Sequence, residues 1–93
     1  RVWINFADLM IELEEYENAM QMLSKGIELN PEDASLNFTY AGYLFLIGSG
    51  EEAAAFLENA LHLNGEVGPE FLQHFPLLVE NEQVKALLNK YQS

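Results

Sequence analysis

Three features of this 93-residue chain predict an all-α fold of antiparallel helix-turn-helix repeats. First, residues 10–30, MIELEEYENAMQMLSKGIELN, return as residues 44–64, LFLIGSGEEAAAFLENALHLN, with Ala19 falling on Ala53, Leu23 on Leu57 and Leu29 on Leu63, a period of 34. That period belongs to helix-turn-helix solenoids, whose units bury their apolar faces against their neighbours. Second, the apolar residues in each copy recur at three- and four-residue steps, which aligns them on one face of a helix. Third, Pro31, the Gly48-Ser49-Gly50 run and Pro76 fall between the periodic segments, where chain-breaking residues belong.

The elements follow in order. In residues 2–13, Trp3, Phe6, Ala7, Met10 and Leu13 form one helical face. Glu14 and Glu15 make a polar corner. Tyr16, Ala19, Met20, Leu23, Ile27 and Leu29 then predict a second helix, stopped by Pro31, which lacks an N–H and crowds the preceding turn. Asp33 is the candidate N-cap of a third helix, with Leu36, Tyr40, Ala41, Leu44 and Ile47 on its face. After the glycine break, Ser49 and Glu52 have capping-box spacing, and Glu51 and Glu52 suit the positive end of the helix dipole. A fourth helix carries Ala53, Phe56, Leu57, Ala60 and Leu61 and ends at Asn64 and Gly65. Beyond Gly65 the repeat degenerates. Phe71, Leu72 and Phe75 give a short apolar helix that Pro76 ends early. Residues 77–79 are an apolar linker, Asn81 caps, and Val84, Leu87, Leu88 and Tyr91 make a stripe opposite Glu82, Lys85, Asn89 and Lys90. A solenoid needs a terminal element with a polar outer side, and residues 69–91 suit that role.

The formal charge of -11 is unevenly placed. Residues 1–66 hold twelve of the fifteen acids and only Arg1 and Lys25 of the bases, leaving -10 there and -1 in the rest. Such a field repels nucleic acid and anionic membrane surfaces and attracts a partner of basic character. With 49% apolar residues the chain is expected to fold despite this charge. Cysteine is absent, which rules out disulfides and thiolate metal sites. No apolar run approaches the ~20 residues that span a bilayer. No signal-peptide pattern is present, and the chain starts at Arg1 rather than Met. A cytoplasmic, excised or processed fragment is therefore the expectation.

With these residues in place the sequence resembles the tetratricopeptide repeat family. Trp3, Ala7, Ala19, Gly26 and Pro31 fill that family's places in the first copy, and Ala41, Ala53 and Ala60 fill three of them in the second. Small residues there allow close helix approach. Asn37 departs from the pattern where an aromatic would stand, and Gly65 where the proline would stand. The resemblance covers residues 1–64 and implies a right-handed α-solenoid: repeats at residues 1–33 and 34–67, a capping segment at residues 68–93, and a place at the C-terminal end of a longer repeat protein.

The resemblance also implies a function, the binding of a peptide or partner segment in a concave groove lined by the first helix of each repeat. It places that groove at Ile4, Asp8 and Ile11 and at Phe38, Gly42 and Phe45. The groove is open, or Phe38 and Phe45 pack on the short helix at residues 71–75. The subgroup that clamps acidic chaperone tails keeps lysines, asparagines and an arginine where this chain has Ile4, Asp8, Thr39, Pro69 and Gln73, so such tails are not the expected ligand. The alternative is an end cap whose face at Arg1, Val2 and Trp3 stacks on another copy or on upstream repeats.

Candidate chemistry is sparse. Glu58 and His62 lie four apart on one helical face, but two ligands do not make a metal site. His74 has no thiol or acid at catalytic spacing. Gly48-Ser49-Gly50 lacks the lysine and strand of a phosphate loop. Asn37-Phe38-Thr39 is a glycosylation acceptor in form, but within a predicted helix. Glu14, Glu15, Glu17 and Asn18 form a solvated corner or a docking surface for a basic partner. No catalysis, cofactor or metal is expected.

Overall fold

The computed structural model describes Leu9 and residues 12–92, the last by its backbone only. The described residues form five α-helices: α1 (Tyr16–Leu29), α2 (Ala34–Leu46), α3 (Gly50–Leu63), α4 (Val67–His74) and α5 (Glu82–Gln92). A 3-10 turn, Pro76–Leu78, joins α4 to α5. No strand occurs among the described residues. Most of the helix predicted over residues 2–13 lies outside them, with only Leu9 and Glu12 seen as helical.

Helix α2 is the centre of the packing. It lies against α1, α3 and α4, and α5 covers α3. Because three helices surround it, α2 buries Phe38, Asn37, Thr39, Gly42, Tyr43 and Phe45 as well as the expected Leu36, Ala41 and Leu44. The single apolar face expected for this helix is thus corrected to burial on nearly every side. Ile47, placed on that face from the sequence, lies past the helix end and is 51% exposed.

The packing helices α1 and α3 have the same length, fourteen residues, and their ends are offset by the sequence period. Each buries a small residue, a leucine and a second small residue: Ala19, Leu23 and Gly26 in α1, Ala53, Leu57 and Ala60 in α3. Both end on an asparagine whose backbone N–H returns to the last of these small residues, Asn30 to Gly26 and Asn64 to Ala60. The chain enters each helix through a left-handed residue at the same place in the repeat, Glu14 (φ 62°) and Gly48 (φ 90°).

Local chemistry sets the helix ends. Asp33 caps α2 as expected, its Oδ1 accepting from the Leu36 N–H at 3.1 Å, and Asn81 caps α5 through the Val84 N–H at 3.0 Å. Ser49 stands at the N-cap of α3, but its side chain makes no capping bond. The expected capping box is replaced by a Schellman closure of α2, with the Ser49 N–H on the Leu44 carbonyl at 2.9 Å and the Gly48 N–H on that of Phe45 at 3.2 Å. Pro76 ends α4 as predicted, since the residue before a proline is driven off the helical region, and Phe75 sits at φ -126°, ψ 67°.

Candidate functional site

The residues implied as a concave groove divide into two sets. Ile4, Asp8 and Ile11 lie outside the described residues. Phe38, Gly42 and Phe45 are all buried. The Phe38 ring meets Phe71 edge-on at 6.0 Å between centroids and His74 at 6.4 Å. The Phe75 ring lies so close to the Gly42 backbone that a β-carbon there would overlap it. Tyr43 packs edge-on against Phe75 at 5.1 Å. Helix α4 therefore occupies this face of α2, and Phe38, Gly42 and Phe45 present no open groove; of the two arrangements expected from the sequence, Phe38 adopts the packed one.

An eight-residue helix is marginal by itself. Burial of Val67, Phe71 and Phe75 at 4% exposure or less supplies about 2 kcal/mol per side chain and holds α4 in place.

The exposed apolar surface lies one turn further along α2. Tyr43 and Leu46 are shared by two adjoining hollows. One, of about 230 Å³, is completed by Tyr16 and Ile47. The other, of about 200 Å³, is completed by His74, Phe75, Pro76 and Leu77. Leu46 and Ile47 are half exposed, and Leu77 is 82% exposed. Together the hollows form an apolar groove running from the start of α1 to the turn after α4. Two larger hollows, at residues 20–28 with Tyr40 and at residues 29–33, have mixed polar and apolar linings.

Acidic residues adjoin Tyr16, at one end of the groove. Glu14, Glu15 and Glu17 flank Tyr16 and are exposed, with Glu15 accepting from the Asn18 side chain at 3.1 Å. Of the three lysines among the described residues, Lys85 pairs with Glu80 at 3.0 Å and Lys90 with Glu58 at 2.8 Å. The third, Lys25, lines the hollow at residues 20–28.

Glu58 and His62, four apart on α3, are joined by α5. Lys90 donates to Glu58, and the Tyr91 hydroxyl lies 2.7 Å from His62 Nε2 and 3.4 Å from Glu58 Oε2. The Lys90 hydrogen bond and charge hold the Glu58 carboxyl below the usual carboxylate range, and the hydrogen bond and charge of Glu58 in turn raise Lys90 above the usual lysine range. This cluster fastens α5 to α3. No three potential metal ligands converge among the described residues, and no described helix is long and apolar enough to cross a membrane.

One buried polar side chain with its partner across the helix interface was not foreseen from the sequence. Asn37 is fully buried and donates to the carbonyls of Asp33 at 2.9 Å and Pro31 at 3.3 Å, while its Oδ1 accepts from Asn59 at 3.0 Å. It ties the α1–α2 connection to α3, so the departure from an aromatic at this position has a structural use.

Comparison of the chain with known protein families, curated proteins and solved structures returns no match.

Proposed function

We propose that this chain is a non-catalytic protein–protein interaction module of tetratricopeptide-repeat type, closed at one end by α4 and α5. The observation that carries the proposal is the correspondence of α1 and α3: equal length, the sequence period between their ends, matching buried positions and the same asparagine ending. Helices that repeat in this way stack into scaffolds that present surface for a partner. The partner on this reading is a protein or peptide of basic or apolar character, because the net charge disfavours nucleic acid and anionic lipid.

The test is capture from lysate with the 93-residue chain, beside an Ile47→Ser, Leu77→Ser variant and a Leu29→Ser variant that keep the parent's helical circular dichroism. Retention of the same specific proteins by parent and at least one variant supports the module. Retention of no specific protein by any of them argues against it.

A second reading, an end cap of a longer array, is favoured by α4 occupying the face of α2. It predicts self-association or stacking through Arg1, Val2 and Trp3. Mass measured against concentration separates the two, since stacking gives a dimer that Trp3→Glu abolishes.

A further inference from the structure

We infer that the groove floored by Tyr43 and Leu46 docks a cationic peptide segment that inserts two apolar side chains, one into each hollow. The inference rests on the interaction-module reading and names the partner's chemistry. Its first support is shape. The two hollows share a floor and differ in their walls, Tyr16 and Ile47 for one, Pro76 and Leu77 for the other. Each offers room for a large aliphatic or aromatic anchor, and the paired arrangement calls for two anchors on one segment. Its second support is exposure. Leu77 at 82%, Ile47 at 51% and Leu46 at 46% leave apolar area in water that a partner would cover.

Charge selects the occupant. Glu14, Glu15 and Glu17 stand at the Tyr16 end, and the chain as a whole carries -11. Lys85 and Lys90 are engaged by Glu80 and Glu58. A second copy would bring an equal negative charge to the same end, and like charges facing each other across an interface oppose association. A segment with lysines or arginines beside its apolar anchors meets the opposite sign, which speeds encounter and fixes orientation.

The probe is a short fluorescent peptide of leucine and lysine arranged as an amphipathic segment, followed by anisotropy. Two controls have glutamate for lysine and serine for leucine. The parent chain is expected to bind the leucine–lysine peptide, more weakly as salt shortens the screening length from ~10 Å at 0.1 M to ~3 Å at 1 M, and neither control. The Ile47→Ser, Leu77→Ser variant should lose about tenfold in affinity, a loss typical of removing apolar anchors. Leu77→Ser alone, at a largely exposed side chain, gives the same direction should the double variant lose helicity. Leu29→Ser, in the separate hollow at residues 29–33, should bind like the parent.

Equal binding by the groove variants, equal binding of the glutamate peptide, or no binding of any peptide overturns the inference. A concentration-dependent dimer that Ile47→Ser abolishes overturns it in favour of a second copy. If the groove variants still capture the parent's proteins from lysate while the peptide result fails, the inference falls and the interaction module stands.

Discussion

Phe75 lays its ring against the backbone of Gly42, and the two positions are matched: the ring fits because the helix has no side chain there. In an open helix Gly42→Ala would gain about 1 kcal/mol of propensity. Here the added methyl overlaps a buried ring, and overpacking of this kind costs about 1–3 kcal/mol. We predict that Gly42→Ala lowers the urea midpoint. Phe75→Leu should recover part of the loss in the double variant, a coupling that additive effects do not produce.

Asn37 has three hydrogen bonds to lose, to Pro31, Asp33 and Asn59. Asn37→Ala removes all three at a fully buried side chain, at about 1–3 kcal/mol. Asn59→Ala, at an exposed position, should cost less. Denaturant titration of both variants checks the order.

Glu14 and Gly48 occupy left-handed backbone shortly before α1 and α3. That conformation costs an L-residue roughly 1–2 kcal/mol and glycine almost nothing. Glu14→Gly is therefore expected to stabilise by up to about 1 kcal/mol after its gain in unfolded-state freedom. Gly48→Ala should destabilise by a similar amount. Opposite shifts in thermal midpoint are the result to look for.

The Glu58–Lys90 pair sets a pH window for the docking of α5. Glu58 is lowered, so its contribution is present above the usual carboxylate range and fades as pH falls through the lowered value. Lys90 is raised, so its contribution is present below the usual lysine range and fades as pH rises through the raised value. Both groups are solvent-exposed, and the effect is local. The protection of amides near Lys90, taken relative to their intrinsic exchange rate at each pH, should fall on acidification. In Lys90→Met that acid dependence should be much reduced, with exchange already faster at neutral pH.

Much of the helical framework was legible from apolar periodicity and from residues with one conformational meaning. Pro31 and Pro76 ended helices, Asp33 and Asn81 capped them, and Ala19 and Ala53 marked close contacts. What periodicity could not convey was how many neighbours a helix has. Helix α2 carries apolar residues all round, and choosing one face for Leu36, Ala41 and Leu44 left Phe38 and Phe45 as a candidate groove when α4 packs on that side. The site that emerges at Tyr43, Leu46 and Ile47 left a faint trace, an apolar run continuing to the helix end. Leu77 left a stronger one, a large apolar residue in a linker. Ser49 misled because a capping pattern predicts a bond only where the backbone is extended, and here its N–H is held by Leu44.

The Asn37–Asn59 amide pair also bears on which alignments of α2 against α3 the chain can accept. Leucine, alanine and phenylalanine tolerate a slide of one helical turn, since each finds another apolar surface. An amide enclosed without its counterpart does not. A slip of α2 against α3 leaves the Nδ2 bonds to Asp33 and Pro31 in place but takes Asn59 away from the buried Asn37 oxygen, which only the native alignment satisfies. The pair thus works as a registration mark between two greasy helices, separating the correct alignment from near-isoenergetic competitors.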